Sequence, residues 1–431
     1  MSDYGSTAVF NVLETGIRHS EREERGNMEM KTGKLLEGVK VVELSTFIAA
    51  PQCAKILGEW GAEVIKVEPL QGEMYRPRGI DNKMPVSDDE NPGFDFENSN
   101  KKGIALNLKT EKGSRVLEDL IAAADVFITN VRTASLEKSG LSYEALKEKY
   151  PSLIFAQILG YGENGPDKDL PGFDFTAFYA RGGITASLAE KGGPPLVPVP
   201  GLGDHQLAFY LAAGICAALF KKTETGKGEK ITVSLYQAAI YSLGIMITAC
   251  QYGNRYPVSR KDVNNPFNNT YQTKDGRWAM LAASDYDRLY GKVMDALGRP
   301  DLTGNEKYAT LAAIHGNTAE MVSILEERFI TKDVDEWLDI FRKADLPFEK
   351  CCLWEEILED EQAWVNGCLR KLEYPSGNTG IGVTTPVKFK EMGPIRHEFA
   401  PRVGEHTEEI LLSIGYSKEE IDTMKNNKDI R

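Results

Sequence analysis

Short apolar runs alternate with amphipathic segments along the first half of the chain. The apolar runs predict β-strands, and the segments between them predict helices. The predicted strands cover residues 39–44, 63–68, 104–108, 125–129 and 153–158, with helices near residues 51–60 and 113–123. This alternation builds βαβ units, so we expect an α/β fold with a mostly parallel sheet and a ligand site beyond the carboxyl ends of its strands.

The pattern changes after the last of these strands. Residues 159–203 are rich in glycine and proline and predict a loop, where site residues commonly lie. Two apolar helices and a strand are predicted next, at residues 206–222, 235–250 and 230–234. The remaining predicted elements are a strand at 278–282, helices near 286–297, 319–329 and 334–343, a strand near 383–389 and helices from 408 and 418.

Charge excludes several classes of partner. The chain of 431 residues carries 51 basic and 64 acidic side chains, a formal net charge of −13. It lacks the basic footprint that neutralises a phosphate backbone, so we expect no nucleic-acid partner and no anionic membrane surface. The longest apolar stretches, 207–220 and 235–250, are shorter than the ~20 residues that cross a bilayer. Six cysteines without CxxC spacing predict reduced thiols and a cytoplasmic protein.

Several kinds of chemistry lack their motifs. The turn after the first strand contains no Gly-x-Gly-x-x-Gly, which a dinucleotide fold would place there. The five histidines never fall at HxxxH or HExxH spacing, so we expect no metal site. The GxSxG elbow of serine hydrolases does not occur either. Carboxylate chemistry is what remains.

The most informative motif is Val-Pro-Gly-Leu-Gly-Asp-His-Gln at residues 199–206, which places Asp204 between a glycine turn and a long apolar helix. Aspartate is a favoured N-cap residue, so capping alone explains Asp204. The same position also suits an exposed, ionised nucleophile beside backbone N–H groups that could stabilise an oxyanion. The residues by themselves leave both interpretations open.

Eight motifs, in order between residues 35 and 421, resemble the family III CoA-transferases. They are LEGVKVVELSTFIAAP (36–51), GAEVIKVE (61–68), NKKGIALNLKTEKG (100–113), ADVFITNVRTASLEKSGLSYEAL (124–146), GYGENGPDKDLPGFD (160–174), GLGDHQ (201–206), TGKGEKITVSLYQA (225–238) and GEHTEEIL (404–411). Each is weak alone, but together they identify the chain as a member of this family. PDKDLPGFD and GLGDHQ resemble most closely the branch from amino-acid-fermenting anaerobes that acts on phenyllactate and 2-hydroxyisocaproate.

The resemblance implies that Asp204 is the catalytic residue. In the family mechanism an aspartate attacks the thioester of an acyl-CoA, which gives an aspartyl-acyl anhydride and then an aspartyl-CoA thioester. The resemblance also implies that CoA passes to a carboxylic acid, here a 2-hydroxy carboxylate such as 2-hydroxyisocaproate or phenyllactate. Coenzyme A is then part of a substrate, and we expect no permanently bound cofactor.

The resemblance further implies which positions contact coenzyme A. They are Ile48, Ala49, Leu106, Asn107, Lys109, Asn130, Val131, Arg132 and Lys138. Three of them, Lys109, Arg132 and Lys138, are cations suited to phosphate. The chain departs from formyl-CoA transferase at Ile48, where that enzyme has a glutamine, and at Pro69, where it has a CoA-contacting arginine. The glycine-rich lid of that enzyme is also missing from residues 264–269.

Two alternatives remain at this stage, a 2-methylacyl-CoA racemase of the same family and a CoA-binding protein without turnover. The racemases of the resembled family carry a histidine before the aspartate of a Gly-His-Asp motif. This chain has Phe173 at the position of that histidine, and a phenylalanine cannot accept a proton. We expect Phe173, His205 and Phe267 in a substrate pocket, with further aromatic candidates at Phe175, Phe178 and Tyr179.

The predicted architecture is a Rossmann-like large domain built from both ends of the chain plus a smaller α+β domain. We expect an N-terminal extension at residues 1–34 that is disordered, the large domain at 35–235, the small domain at 236–350 and a C-terminal part at 351–431 that returns to the large domain. The resemblance also implies a homodimer of two interlocked subunits.

Overall fold

A six-stranded parallel sheet forms the centre of the computed structural model, which describes residues 34–431. The extension predicted at residues 1–34 therefore lies, apart from Lys34, outside the described residues. The strands are β1 Lys40–Leu44, β2 Glu63–Glu68, β3 Lys102–Ala105, β4 Val126–Thr129, β5 Ile154–Leu159 and β6 Lys230–Ser234. They lie in the order β3-β2-β1-β4-β5-β6, and all neighbours are parallel. The predicted α/β fold with a mostly parallel sheet is confirmed.

Helices cover both faces of this sheet. The helices of this part of the chain are α1 Ala49–Glu59, α2 Pro92–Asn98, α3 Glu111–Ala122, α4 Thr133–Lys138, α5 Tyr143–Lys149, α6 Ile184–Leu188, α7 Leu202–Thr225, α8 Leu235–Ser242 and α9 Gly244–Cys250, with a 3-10 turn at Arg76–Asn82 and a π-helical turn at Asp174–Ala180. Every residue of α1 is buried, because the helix lies between the sheet and α7.

Two apolar cores lie on opposite sides of the sheet, because successive strand residues point to opposite faces. Val41 and Ile128 pack on one side with α1 and α7. Val42 and Phe127 pack on the other side with Leu117 of α3. Burial on both faces explains why β4 and β5 are almost entirely apolar, whereas β1 and β2 also carry the buried and ion-paired Glu43 and Lys66.

The C-terminal segment packs on the second side of the sheet. Its helices are α16 Thr407–Ser413 and α17 Lys418–Asn426, and Ile410 and Ile421 belong to the same core as Val42. Beyond α17, Ile430 pairs with Leu106 in an antiparallel bridge next to β3. The last residues of the chain therefore contact the edge of the sheet at residues 102–106.

A second unit has its own core. Its antiparallel strands β7 Asn268–Gln272, β8 Trp278–Ala282 and β9 Phe348–Lys350 pack with helices α10 Tyr286–Ala296, α11 Leu311–Ile314, α12 Thr318–Phe329 and α13 Val334–Lys343. Stacked aromatic rings fill this core, with Phe329 between Tyr271 and Phe348. A 3-10 turn at Pro300–Leu302 lies between α10 and α11. The second unit is followed by α14 Trp354–Glu359, α15 Glu361–Val365 and the hairpin of β10 Leu369–Glu373 and β11 Thr379–Val383.

Several elements differ from the sequence-based predictions. Residues 235–250 form two helices, α8 and α9, that meet at Leu243, instead of one. The strand predicted near 383–389 is wrong, because the chain there leaves the β10–β11 hairpin, whose second strand ends at Val383. Helix α7 begins at Leu202, four residues before its predicted start.

Helix α7 is, among the described residues, the one helix long and apolar enough to cross a membrane by length and composition. The apolar stretch considered in the sequence, 207–220, is shorter because it excludes the ends of the helix. Core helices of soluble proteins pass the same test, and Leu207, Leu211 and Ile215 of α7 are fully buried against α1 and the sheet.

Candidate active site

Two glycines place Asp204 at the start of α7. Gly201 has a φ of +87°, a conformation that side chains disfavour. Gly203 has no room for a side chain, because a Cβ there would lie 2.4 Å from both Asp174 Oδ1 and the Phe178 ring. The Gly-Leu-Gly-Asp motif is therefore required by the backbone path that brings Asp204 to its position.

A second carboxylate holds this turn in place. Asp174, at the start of the π-helical turn, accepts hydrogen bonds from the backbone N–H groups of Gly201 at 2.8 Å and Gly203 at 3.1 Å. Burial raises the pKa of Asp174, and the two N–H donors offset part of that effect. Asp174 is thus an anchor for the turn before Asp204, which gives the Gly-Phe-Asp motif a structural role.

Asp204 is the third residue of α7 and not its cap, so the capping interpretation is wrong: the N-cap is Gly201. Its side chain is half-buried, and this differs from the exposed carboxylate that the motif predicted. Burial, together with the charges of Asp174 and Glu97, raises the pKa of Asp204 to about 7, although His205 opposes the shift. Near neutral pH the group therefore exists in both protonation states.

His205 contacts Glu97 and does not line the cavity described below. Its Nε2 lies 3.1 Å from Glu97 Oε1, and its ring meets Phe96 edge-on at 5.3 Å. Burial disfavours the charged imidazole, but the hydrogen bond and charge of Glu97 outweigh this and raise the pKa of His205. The pair adds an ionic contact between α2 and the first turn of α7.

Asp204 opens into a cavity of about 380 Å³ at the carboxyl ends of β1, β4 and β5. This is the place where the strand order reverses, between β1 and β4, and where open α/β sheets bind their ligands. Two loops meet here through a pair of hydrogen bonds. Thr46 N–H donates to Asn130 Oδ1 at 3.1 Å, and Asn130 Nδ2 donates to the Thr46 carbonyl at 2.7 Å.

Four of the positions predicted to contact coenzyme A line this cavity with Asp204. They are Ile48, Ala49, Asn130 and Arg132. The apolar part of the wall includes Phe47 and Phe173, whose rings meet edge-on at 5.6 Å, and Phe175. The cavity therefore combines a carboxylate, a cation and an aromatic surface.

A second cavity, of about 590 Å³, lies between α3 and α4. Val131 lines it, next to Asn130 of the first cavity, and so do Leu108 and Lys112. Leu106 is buried in the core, whereas the Asn107 side chain donates to the Lys428 carbonyl at 3.2 Å. The other two predicted CoA-contacting residues, Lys109 and Lys138, are exposed.

Several cations around the two cavities form no ion pair with any residue in 34–431. They are Lys109, Lys112, Arg132 and Lys138, together with Lys168 on the loop that lines the first cavity. Most other basic side chains near the sheet are paired, for example Lys222 with Asp125 and Lys230 with Glu163. Cations without ion pairs around two neighbouring cavities suit a ligand with several negative charges.

The remaining aromatic candidates lie elsewhere. Phe178 and Tyr179 belong to the π-helical turn and are buried in the core. The Tyr179 hydroxyl donates to the Val199 carbonyl at 2.7 Å. Phe267 is in the core of the second unit, stacked on Tyr286 at 4.4 Å. Within this chain, neither Phe267 nor His205 is brought to the cavity of Asp204.

Three features of the site were not assigned from the sequence. Phe47 lies inside a motif used for Ile48 and Ala49, but nothing indicated that its ring enters the cavity. Lys168 lies in the glycine-rich loop at 159–203, whose composition was the only signal. The anchoring role of Asp174 needs the fold, because 27 residues separate it from Gly201.

Comparison with known proteins decides the family. The family model described as CoA-transferase family III matches residues 36–407. The chain belongs to CoA-transferase family III. This enzyme is therefore a CoA-transferase, as its motifs predicted.

Two curated relatives match this CoA-transferase over almost its whole length. The (R)-2-hydroxy-4-methylpentanoate CoA-transferase of Clostridioides difficile is 51% identical over 92% of this chain and 100% of its own length. The cinnamoyl-CoA:phenyllactate CoA-transferase of Clostridium sporogenes is 49% identical over 94% of this chain and 98% of its own. A CaiB/BaiF family protein from Brucella suis superposes with a TM-score of 0.75 at 28% identity, covering 89% of this chain and 100% of that one.

Proposed function

We propose that this CoA-transferase moves coenzyme A from an acyl-CoA donor to a 2-hydroxy carboxylate with a branched or aromatic side chain. The observation that carries the proposal is the cavity in which Asp204 faces the aromatic wall of Phe47 and Phe173. A nucleophile beside an apolar wall suits an acid whose carboxylate reacts while its side chain is desolvated. The relatives named for 2-hydroxy-4-methylpentanoate and phenyllactate support the same class.

The proposed reaction runs through covalent intermediates on Asp204. Its carboxylate attacks the donor's thioester carbonyl, and the C–S bond breaks to leave an aspartyl-acyl anhydride and a CoA thiolate. The thiolate attacks the aspartyl carbonyl, which releases the donor acid and forms an aspartyl-CoA thioester. The acceptor carboxylate attacks that thioester and regenerates an anhydride and the thiolate. Attack of the thiolate on the acceptor's carbonyl gives the new acyl-CoA and frees Asp204.

Each addition in this sequence places negative charge on a carbonyl oxygen. Ile48 and Ala49 lie at the N-terminus of α1, which opens onto the cavity. The first N–H groups of a helix have no partner within the helix, and its dipole is positive there. We assign the stabilisation of the oxyanion to this end of α1, with Ile48 taking the position of the glutamine in formyl-CoA transferase.

Coenzyme A is proposed to extend from the first cavity to the second. Its thioester lies at Asp204, and its nucleotide end reaches the cavity between α3 and α4 past Asn130 and Val131. The unpaired cations support this path because they offset phosphate charge on a protein whose net charge is −13. The contacts proposed are those predicted from the sequence: Ile48, Ala49, Leu106, Asn107, Lys109, Asn130, Val131, Arg132 and Lys138.

The working form is proposed to be a cytoplasmic homodimer of interlocked subunits. Large exposed apolar side chains on α8, on and just after α9, and in the loop before α7 support it, since monomers rarely leave many such side chains in water. Tyr241 is 77% exposed, Ile245 79%, Tyr252 87% and Val197 93%. A second copy of the chain would cover them.

Trapping with hydroxylamine tests the nucleophile. The wild-type protein, incubated with 2-hydroxyisocaproyl-CoA and hydroxylamine, should carry a hydroxamate on Asp204, which peptide mass spectrometry locates. Asp169→Asn, which changes another carboxylate of the same cavity, should still be trapped, whereas Asp204→Asn should not. A hydroxamate on another residue, or none during turnover, contradicts the assignment.

Exchange at the α-carbon separates transfer from racemisation. Phe173 lines the cavity and offers no proton acceptor. We therefore expect a 2-methylacyl-CoA to keep its α-deuterium during incubation, while branched and aromatic 2-hydroxy acids accept CoA. Loss of the label without transfer would instead favour the racemase, and binding without either reaction would favour a CoA-binding protein.

A further inference from the structure

Phe47 has a strained backbone at the edge of the active-site cavity. Its φ is +66°, in the left-handed region that a residue with a bulky side chain rarely adopts. Its ring lies in the cavity wall, edge-on to Phe173 and 6.2 Å from the ring of Tyr75. Such a conformation persists only where surrounding groups hold it, and it commonly marks a functional site.

The group that holds it is a buried carboxylate outside the cavity lining. Glu73 is 4% exposed, and its Oε2 accepts the Phe47 N–H at 2.9 Å. Its other oxygen forms an ion pair with the buried Lys66 at 2.8 Å. Lys66 also pairs with Glu43 at 2.9 Å, and Glu43 pairs with Lys101 at 2.8 Å.

This chain of charges is fixed at several points. The side chains of Glu43, Lys66 and Lys101 are fully buried, so moving any one of them would leave a charge unpaired. The Ser45 hydroxyl donates to Glu43 at 2.7 Å, two residues before Phe47. The network thus holds both the end of β1 and the turn that follows it.

We propose that Glu73 is a positioning residue for transfer. It clamps the Phe47 N–H, and the clamp fixes both the aromatic wall that meets the acyl group and the path of the chain into Ile48 and the N-terminus of α1. Small displacements of such groups lower the rate of a reaction without preventing folding. The proposal rests on the proposed function, because the aromatic wall and the N-terminus of α1 have these roles only if acyl transfer takes place in the cavity.

Glu73→Gln tests the clamp. A glutamine has a single acceptor oxygen, so it can serve Phe47 or Lys66 but not both. We expect kcat with a branched 2-hydroxy acid to fall by about 10- to 100-fold, with a much smaller change in KM for the acyl-CoA, whose other contacts lie elsewhere. Glu73→Asp keeps the charge beside Lys66 but is one methylene shorter, so it should fold and still lose kcat.

Glu59→Gln is the matched control. Glu59 lies at the other end of α1, fully buried, ion-paired with Lys55 and bonded to the Thr385 hydroxyl, and it does not line the cavity. This variant should lose thermal stability and keep its kcat. The comparison separates the position of Glu73 from the general cost of a buried charge.

A rescue experiment separates positioning from structure. Glycine adopts a positive φ without strain, so Phe47→Gly should make the turn less dependent on Glu73. We expect Glu73→Gln to cost a smaller factor in kcat in the Phe47→Gly background than in the wild type. Wild-type kcat in both folded Glu73 variants, or an equal loss in the two backgrounds, would overturn the proposal. Absence of transfer by the wild type would instead refute the proposed function.

Discussion

At the scale of single residues, the proposed nucleophile Asp204 is an unusually weak acid. Burial and the neighbouring charges of Asp174 and Glu97 raise its pKa to about 7. Only the deprotonated carboxylate can attack a thioester, so activity should be present above this pKa and lost as the pH falls through it. We expect kcat/KM for the acyl-CoA to rise with pH and level off above about 7, as initial rates will show. A rate that stays constant down to the ordinary range of aspartate would contradict this.

The same pKa predicts a gain in stability when the charge is removed. The pKa of Asp204 is raised, so the folded protein keeps a proton that the unfolded chain releases, and stability falls as the pH rises from the ordinary value of 3.8 to about 7. Asp204→Asn should therefore unfold at higher urea concentrations than the wild type at about pH 8. Its free energy of unfolding should be higher by up to about 4 kcal/mol there, and this difference should vanish near about pH 4.

The control for this variant is Asp169→Asn, which removes an exposed carboxylate of the same cavity. It should change the free energy of unfolding by less than about 0.5 kcal/mol at either pH. Asp204→Asn should also lower kcat by about a thousandfold or more. Equal stability of Asp204→Asn and wild type at high pH would mean that Asp204 is not destabilised by burial and its neighbours.

Sequence patterns indicated Asp204 because its neighbours form a recognisable glycine motif, but they could not indicate Glu73 or Phe47. A glutamate in a polar stretch is expected on the surface, and nothing local shows that Glu73 meets a buried lysine. Likewise, a positive φ at a phenylalanine has no signal in the residue itself. Both features arise from contacts between segments that the fold brings together.

At the scale of elements, the turn into α7 depends on its glycines. A Cβ at Gly203 would overlap Asp174 Oδ1 and the Phe178 ring, so Gly203→Ala must displace the first turn of the helix. We expect a loss of about 1–3 kcal/mol in the free energy of unfolding and a large fall in kcat. Urea denaturation and initial rates measure the two effects.

Gly291→Ala provides the comparison within a helix. Gly291 lies in α10, where a Cβ would meet only a Thr303 methyl at 3.2 Å. Alanine favours helix, so this variant should keep full activity and close to full stability. An active Gly203→Ala enzyme would show that Asp174 does not have to hold the turn before Asp204 as tightly as the contacts indicate.

The parallel strands and amphipathic helices lie close to where their sequence patterns predicted them, whereas the break between α8 and α9 and the π-helical turn were not predicted. The parallel strands are buried on both faces, and this produces the apolar runs from which they were predicted. Helices α8 and α9 looked like one helix because both are apolar throughout, and periodicity gives no sign of a break at Leu243. The π-helical turn at Asp174–Ala180 was also hidden, since the residues around it are rich in glycine and proline.

At the scale of the whole molecule, the net charge does not describe where the cations lie. The chain as a whole is at −13, yet the loops at the carboxyl ends of β3 and β4 and the helices beside them carry the unpaired Lys109, Lys112, Arg132 and Lys138. The net negative charge disfavours binding of long polyanions, whereas a few cations without ion pairs among residues 34–431 can still contact the phosphates of coenzyme A. The overall charge therefore bears on the expectation of no nucleic-acid partner and says little about a small anionic ligand.

Assembly gives the last prediction. Ile245 on α9 is 79% exposed within a surface that also contains Tyr241 and Tyr252, and water contact with so much apolar area is unfavourable. We expect the wild type to sediment at twice the chain mass of 47.8 kDa, and Ile245→Asp to shift the population towards the single chain. Leu412→Asp, at a half-exposed leucine on α16, should remain at the dimer mass. In the proposed homodimer the partner also covers the exposed apolar loop at 196–201, which leads into α7 and Asp204. The Ile245→Asp protein should therefore lose activity in proportion to the dimer it lacks. A wild type that sediments as a single chain and still transfers CoA would refute the need for a partner subunit.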